Sequence, residues 1–201
     1  MSLAEIGRYY SAKLAAHGAS PQGVDWNGAE SQRLRFDQLA RVIGAEADFQ
    51  INDLGCGYGA FLDYLGRRCD YLGVDISEEM IAKAEALHAG QTGCRFLAGQ
   101  RADRQADYTV ASGIFSVRLS ASDREWHAHL LNTLDEMDAG SRRGFAFNCL
   151  TSYSDAGRMQ DYLYYADPRV LFDHCKTRYS KNVALLHDYG LYEFTLLVRK
   201  A

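Results

Sequence analysis

A glycine-rich segment, NDLGCGYGA, has the residue types and spacing of a ligand-binding turn. Gly55, Gly57 and Gly59 fall where a predicted strand runs into a predicted helix. Glycines at such a turn let a ligand approach the backbone and the helix N-terminus closely. Asp75 follows Gly55 by 20 residues, the spacing at which a carboxylate grips a ribose diol in dinucleotide-type folds. The pattern therefore predicts a ligand that contains a nucleoside.

The identity of that ligand depends on the residues around the loop. Gly55, Gly57 and Ala60 also satisfy the G-x-G-x-x-A pattern of nicotinamide-dinucleotide sites. Asp53 favours a different ligand, because a negative charge beside the loop suits a cationic amino-acid group better than a pyrophosphate. The loop begins roughly 50 residues into the chain, which leaves little room for a separate substrate-binding domain. A nicotinamide-dependent oxidoreductase and a cofactor-binding module without catalysis stay open as alternatives.

The elements that must position these residues alternate between strand and helix. Strands are predicted over residues 49–54, 70–75, 94–99, 107–113 and 144–150, and as a hairpin around residues 187–192. Helices are predicted over residues 30–43 and 60–67, after Ser77, after Ser122 and from Pro168 to about Cys175. Ser77 is a good N-cap, Ser122 and Glu125 form a capping box, and Asp167 precedes a proline at the first helical position. This order implies βαβ units and a mainly parallel sheet of seven strands in one domain.

These residues also carry a family resemblance. The D-x-G-x-G-x-G loop, Asp75 and the terminal hairpin resemble the class I S-adenosylmethionine-dependent methyltransferases over essentially the whole chain. The segments GVDWNGAESQRLRF, ASGIFS, YYADP and HDYGLYEFTLLVRK resemble a bacterial small-molecule group among them. The resemblance implies an α/β, Rossmann-like, seven-stranded sheet with helices on both faces and a C-terminal antiparallel hairpin. Residues 1–45 would form a helical cover, and residues 46–201 a core with a tyrosine-rich insertion at about 151–180.

The implied reaction is metal-independent, in-line methyl transfer from S-adenosylmethionine to a small-molecule acceptor, with S-adenosylhomocysteine as the product. By this resemblance Gly55 and Gly57 would line the methionine part of the cofactor, and Asp53 would orient its ammonium. Asp75 would accept hydrogen bonds from both ribose hydroxyls, with Ile76 packing on the adenine.

Further cofactor contacts follow from the same resemblance. Many members have an aspartate after the third strand, where this chain has Gln100, whose amide oxygen can accept the same bond from the adenine amine. Ser112 and Gly113, at the end of the fourth strand, are expected beneath the sulfonium. Gly59 completes the glycine loop. Trp26 lies in a segment that resembles a lid, and its alternative role is a hydrophobic staple before the next helix.

The segment after the fifth strand is rich in tyrosine, which suggests an acceptor pocket. Seven of the thirteen tyrosines lie there, at positions 153, 162, 164, 165, 179, 189 and 192. Tyrosine rings can wall a pocket for a small, partly apolar acceptor, although ordinary packing is the alternative for each. We expect Tyr164 and Tyr165 to close over the methyl group. His187 is the candidate general base, because histidine titrates near neutral pH, with a structural histidine as the alternative.

Several acceptor classes and sites are disfavoured. The fourth strand is followed by ASGIF rather than the [DN]-P-P-[YFW] motif, which argues against methylation of adenine or glutamine amines. His127 and His129 are two residues apart on a predicted helix, so their side chains point to different sides and no metal site is expected. Arg33, Arg35, Arg118 and Arg169 could clamp a carboxylate, but solvated surface is the default expectation for each.

Composition sets the remaining limits. Among 201 residues, 26 acidic and 22 basic side chains give a net charge of −4, which disfavours a nucleic-acid partner or an anionic membrane surface. No apolar run reaches the ~18 residues of a membrane span, and the start MSLAEIGRYY lacks the pattern of a signal peptide. The five cysteines include no C-x-x-C pair, which is typical of a reduced, cytoplasmic protein. The oligomeric state is not predicted.

Overall fold

The computed structural model describes residues 3–66 and 69–200, which surround one central sheet. Its strands are β1 (Phe49–Leu54), β2 (Cys69–Asp75), β3 (Cys94–Ala98), β4 (Ala106–Ala111), β5 (Ser141–Thr151), β6 (Tyr165–Ala166), β7 (Asn182–Leu186) and β8 (Glu193–Arg199). The order across the sheet is β3-β2-β1-β4-β5-β8-β7, and β6 pairs with β5 outside this order. β8 is antiparallel to both of its neighbours, β5 and β7, and the other strand pairs of this sheet are parallel. The predicted mainly parallel sheet and closing hairpin are confirmed, and β6 is a strand that the prediction of seven did not include.

Six α-helices connect and cover the strands within the described ranges. They are α1 (Leu3–His17), α2 (Ala29–Leu39), α3 (Ala60–Leu65), α4 (Glu78–Leu87), α5 (Asp123–Ala139) and α6 (Pro168–Arg178). The helix predicted over residues 30–43 is α2 followed by a 3-10 turn, Ala40–Val42. The helix predicted to reach Arg67 ends earlier, because Gly66 adopts a left-handed conformation (φ 53°) that stops α3. Arg67 itself lies outside the described residues.

The three predicted helix caps are confirmed. The Ser77 hydroxyl accepts from the Met80 backbone N–H at 3.1 Å and begins α4. Ser122 and Glu125 form the reciprocal capping box of α5. The Asp167 carboxylate accepts from the backbone N–H of Arg169 at the start of α6. These local signals depend on residues close in sequence, so they could be predicted without knowledge of the tertiary structure.

The sheet is packed on both faces, as expected for a Rossmann-like fold. On one face, Phe145 and Phe147 of β5 pack against α5 and α6 through residues such as Leu130 and Leu171. Ala146, between the two phenylalanines, contributes to the opposite cluster with α2 and α3, as the alternation of side chains along a strand requires. The carboxyl ends of β1, β2 and β4 therefore meet at one edge, where open α/β sheets bind ligands.

Helix α1 contributes to the cover over this edge. Its residue Ile6 is buried in a small cluster with Val117, Ala121 and Trp126. α1 packs against the residue just beyond β2, since a Cβ on Gly7 would lie in ordinary contact, 3.5 Å from the Ile76 carbonyl oxygen. Across the described ranges, no helix combines the length and apolar character needed to cross a membrane.

Candidate functional site

A cavity of about 1050 Å³, counting its space open to solvent, lies at the carboxyl ends of β1, β2 and β4. Side chains of α1, α2 and the segment between them close it from above. Nine of the ten predicted cofactor residues line this cavity. They are Trp26, Asp53, Gly55, Gly57, Asp75, Ile76, Gln100, Ser112 and Gly113. The fold therefore brings together residues that are up to 87 positions apart in the sequence.

The glycine loop adopts backbone conformations that other residues rarely take. Gly55 and Gly57 have φ angles of 73° and 55°. A Cβ on Gly55 would lie 2.1 Å from Ile114 Cγ2, and one on Gly57 would lie 2.9 Å from Val24 Cγ1. Gly59 has a different surrounding and does not line the cavity: a Cβ there would lie 2.6 Å from the His88 ring. Glycine at position 59 leaves space for the His88 ring at the end of α4. The predicted contact of Gly59 with a cofactor is therefore not supported.

Asp75 lies at the end of β2 with its carboxylate held by the glycine loop. One oxygen accepts from the Gly57 backbone N–H and the other from the Ser77 backbone N–H, both at 2.9 Å. Burial raises the pKa of Asp75 above its usual range, while the backbone N–H groups oppose the shift. Each carboxylate oxygen has a second lone pair. Asp75 can therefore hold the loop and still accept from a diol in the cavity.

Asp53 is a buried carboxylate whose charge is poorly balanced by the protein. It is 2% exposed, and burial raises its pKa to about 7. The Tyr71 hydroxyl donates to it at 2.6 Å and limits this rise. A cationic group in the cavity would favour the charged carboxylate. Tyr71 was missed by the sequence analysis, although its place on the strand beside Asp53 was a signal available there.

The end of β4 forms the floor of the cavity beneath Trp26. A Cβ on Gly113 would lie 2.5 Å from the Trp26 ring, so only glycine lets the ring approach. The Gly113 backbone N–H donates to Asn148 Oδ1 at 2.7 Å. The neighbouring Ser112 Oγ is buried and has no hydrogen-bond partner among the described residues. An orphaned hydroxyl in a cavity wall is available to a ligand.

One face of α5 forms another wall of the cavity. Trp126, His129 and Thr133 recur at helical spacing and line it together with Gln100. Farther along α5, Gln105 Nε2 donates to the Ala139 carbonyl at 3.0 Å, so the helix runs beside the segment that follows β3. Burial lowers the pKa of His129. The sequence analysis considered His129 only as a metal ligand and missed this position, although the spacing of the three residues was visible.

The end of the cavity near α2 is also polar, although no sequence motif predicted polar groups there. Gln32 is buried, and its side chain lies beside the Tyr58 hydroxyl, where it opposes the rise in the pKa of Tyr58 that burial causes. Both residues line the cavity beside Phe36 and Phe61. Burial raises the pKa of Tyr58 above its usual range, so its hydroxyl is a neutral donor. These groups supply neutral hydrogen bonds close to the start of α3.

The three residues predicted to act in catalysis do not line the cavity. Tyr164 bonds His127 Nδ1 through its hydroxyl at 2.9 Å. The Tyr165 hydroxyl accepts from the Gln160 backbone N–H at 3.0 Å, and Tyr165 pairs with β5. His187 is exposed and contacts the ring of Tyr153. Pairing of β6 with β5 gives this segment partners of its own, so a catalytic role for the three stays a prediction that the geometry does not support.

Two expectations about charged groups have definite outcomes. Arg35 is buried and paired with Glu193, so the default expectation of a solvated surface residue was wrong for it. Arg169 is exposed and pairs with Asp167, as that expectation allowed. Within residues 3–66 and 69–200, no three His, Cys, Asp or Glu side chains are grouped so that they could hold a metal ion.

Comparison with known proteins agrees with this geometry. A family model described as "Methyltransferase domain" matches residues 52–139, which include the glycine loop, Asp75 and α5. The Mycobacterium tuberculosis (strain ATCC 25618 / H37Rv) protein Rv1506c, which is named as a methyltransferase, is 62% identical over 164 residues. That alignment covers 80% of this chain and 99% of the relative.

Solved structures with the same fold include two methyltransferases crystallised with S-adenosylhomocysteine. N-methyltransferase NodS from Bradyrhizobium japonicum WM9 has a TM-score of 0.68 and 16% identity, over 96% of this chain and 97% of NodS. Magnesium protoporphyrin IX methyltransferase (ChlM) from Synechocystis PCC 6803 has a TM-score of 0.65 and 13% identity, over 86% and 84%. The chain therefore belongs to the methyltransferase family, and its fold is that of the class I S-adenosylmethionine-dependent enzymes.

Proposed function

We propose that this protein transfers a methyl group from S-adenosylmethionine to a small-molecule acceptor without a metal ion. The observation that carries the proposal is the pair of buried aspartates, Asp53 and Asp75, which face one cavity on either side of the glycine loop. A pyrophosphate beside Asp53 would meet an unfavourable negative charge, whereas an amino-acid ammonium would compensate it. This argues against the nicotinamide alternative.

The residues that line the cavity suit the separate parts of that cofactor. Asp53 would bind the ammonium of its methionine part, and Gln32 with Tyr58 would supply neutral hydrogen bonds near the same end. Asp75 would accept from the ribose hydroxyls, and Gln100 would accept from the adenine amine. The fit follows from the chemistry of the donors and acceptors that the fold brings to one cavity.

The end of the cavity between Ser112, Gly113 and Trp26 would hold the sulfonium. When bound, the cofactor supplies an electrophilic methyl group on a positively charged sulfur. The orphaned Ser112 Oγ can bond a ligand there, and the Trp26 ring can contact a cation. The protein's contribution would then be orientation and exclusion of water. No general base is assigned, because a base is needed only where the acceptor must first lose a proton.

A small acceptor suits this site because α1 and α2 close much of the cavity. Leu3, Ile6 and Tyr10 line it from α1, so a macromolecular acceptor would need to displace this cover to reach Gly113. The lining from α1 is mostly apolar, which favours an acceptor with apolar surface near the methyl group.

The proposal is tested by calorimetric titration with S-adenosylhomocysteine and, separately, NADH. We expect binding of S-adenosylhomocysteine only, and preferential binding of NADH would overturn the proposal in favour of an oxidoreductase. Cell extract incubated with the protein and isotopically labelled S-adenosylmethionine should yield a labelled small molecule by mass analysis. Cofactor binding without any labelled product would instead support the non-catalytic module.

One variant tests the ribose assignment. Asp75→Ala should weaken S-adenosylhomocysteine binding by about 1.5–3 kcal/mol, because a charged acceptor of two hydroxyls is lost. Asp173→Ala, at an exposed position on α6, is the matched control and should leave binding unchanged. Because Asp75 also holds the Gly57 and Ser77 backbone, circular dichroism must first show that the variant is folded. An unchanged dissociation constant in folded protein would contradict the assignment.

A further inference from the structure

A buried ion pair joins α2 to β8 close to the cavity. Arg35 Nε donates to Glu193 Oε1 at 3.0 Å and to Oε2 at 2.8 Å, and a second guanidinium nitrogen also contacts Oε1. The side chains are 8% and 3% exposed. Arg35 also donates to the Ser31 carbonyl at 2.8 Å, and Asn148 Nδ2 donates to Glu193 Oε2 at 3.0 Å. The pair is therefore fixed in direction by several hydrogen bonds.

The same hydrogen bonds lead to the floor of the cavity. Asn148 uses its other atom, Oδ1, to accept from the Gly113 backbone N–H. On the opposite side, the Arg35 Cζ atom lies 3.9 Å from the centroid of the Trp26 ring. The far edge of that ring contacts Gly113. Gly113, Asn148, Glu193, Arg35 and Trp26 thus form a closed ring of contacts, which we name the brace.

Stability alone does not explain the brace. Burying two charges costs free energy, and apolar side chains of similar size often hold two elements together equally well. Apolar side chains, however, cannot reproduce the directional hydrogen bonds of the brace. The planar guanidinium binds the carboxylate with its edge and stacks on Trp26 with its face. The Asn148 side chain links this pair to Gly113, because its Nδ2 donates to Glu193 and its Oδ1 accepts from the Gly113 backbone N–H.

We infer that Arg35, Glu193 and Asn148 are positioning residues, which hold the Trp26 ring and the Gly113 peptide in a fixed relation at the end of the cavity. This inference rests on the proposed function for its consequence, since that end would hold the sulfonium. The brace sets how closely the ring approaches Gly113 and which way the adjoining Ser112 hydroxyl faces. The three residues act through their neighbours and need not touch the cofactor.

Fluorine NMR can test the position of Trp26 directly. The chain has two tryptophans, so labelling with 5-fluorotryptophan gives two resonances, and Trp26→Phe assigns them. In the variant Arg35→Met/Glu193→Leu, the Trp26 resonance should shift or broaden without any ligand. The Trp126 resonance should stay in place, because its indole N–H bonds the Phe115 carbonyl, apart from the brace.

Stability and binding measurements separate positioning from packing. Glu193→Leu alone should lower the melting temperature by roughly 6–20 °C, because it leaves a buried guanidinium unpaired. The double variant should recover to within about 4 °C of the natural protein, yet bind S-adenosylhomocysteine at least about fivefold more weakly. Arg178→Met breaks an exposed ion pair between α5 and α6. It is the control, and it should change neither resonance.

Each result has a definite meaning. A folded double variant whose Trp26 resonance stays at its original position overturns the inference and leaves the pair a packing contact. A displaced resonance with unchanged S-adenosylhomocysteine affinity also overturns it, because the position of Trp26 would then have no effect on cofactor binding. If the natural protein fails to bind S-adenosylhomocysteine, the proposed function is wrong. The resonances measured without ligand would still show whether the brace positions Trp26.

Discussion

Binding of S-adenosylhomocysteine should depend on pH through Asp53. Its burial raises the pKa to about 7, so the carboxyl carries a proton at pH 6 and loses it by pH 8. Only the charged form attracts the ammonium of the ligand. The ionised fraction falls from about nine-tenths at pH 8 to about one-tenth at pH 6. The dissociation constant should therefore rise about tenfold over this range, or about 1.4 kcal/mol.

Calorimetric titrations at pH 6, 7 and 8 measure this change, and 5′-methylthioadenosine is the matched control ligand. It keeps the adenosine part but lacks the ammonium, so its affinity should not fall in the same way. The other titratable groups around Asp53 stay in one form, because burial holds the pKa values of Tyr71 and Cys56 well above their usual ranges. Asp75, across the loop, also has a raised pKa and is common to both ligands.

Two variants extend the test. Tyr71→Phe removes the hydroxyl that limits the rise in the pKa of Asp53, so the midpoint of the pH dependence should move upward. Asp53→Asn should abolish the dependence and weaken binding at pH 8. Equal dissociation constants at pH 6 and pH 8 would refute the reasoning, as would an unchanged pH dependence in Asp53→Asn.

The raised pKa of Asp53 also predicts how the stability of the fold depends on pH. The folded-state pKa of Asp53 lies above its unfolded value of about 3.9, so the folded protein binds the extra proton between about pH 4 and pH 7. The associated stability is present at low pH and is lost as the pH rises through 7. At pH 8, Asp53→Asn should therefore raise the free energy of unfolding, by up to about 4 kcal/mol. Urea denaturation measures it, and a destabilised variant would contradict the burial argument.

Three further predictions concern the cavity. Gly57→Val should abolish S-adenosylhomocysteine binding, because the residue has a φ of 55° and little space for a Cβ; Gly157→Val, where nothing lies within 4 Å, is the control in the same titration. Ser112→Ala should weaken binding by about 1 kcal/mol if its hydroxyl bonds the ligand, and unchanged affinity would exclude that bond. Tyr164→Phe should lower the free energy of unfolding by about 1 kcal/mol through loss of the His127 bond, with no change in the yield of labelled product from cell extract; a lower yield in folded protein would place Tyr164 at the acceptor.

Features set by neighbouring residues were predictable from the sequence. The glycine loop, its aspartate at the end of β2 and the three helix caps depend on short spacings and on residue type. The strand order needed the family resemblance as well, because alternating strands and helices allow more than one order. The extent of α2 and the two-residue β6 depend on tertiary contacts, which local periodicity does not report.

The predicted acceptor pocket stays a prediction that the geometry does not support, for a related reason. The cluster of tyrosines after β5 was taken as a pocket wall because of its composition, but composition does not say which way a side chain points. The structure gives Tyr164 and Tyr165 hydrogen-bond partners of their own, and the cover is lined instead by residues such as Ile6 and Tyr10. The family resemblance implied a helical cover from residues 1–45, but the first helix carries no chemical signature, so the side chains by which it lines the cavity could not be recognised beforehand.

The buried polar groups near the cavity divide into two kinds, and the division assigns their roles. Asp53 and Ser112 are incompletely satisfied. Burial raises the pKa of the Asp53 carboxyl to about 7, and the Ser112 hydroxyl has no hydrogen-bond partner among the described residues. Groups left in this state cost stability unless a ligand completes them. Arg35 and Glu193 are satisfied by one another and by their neighbours. Most of their donors and acceptors are already engaged, so they serve the site by orienting the groups beside them. The position of the Trp26 ring is therefore the measurement that tests the brace.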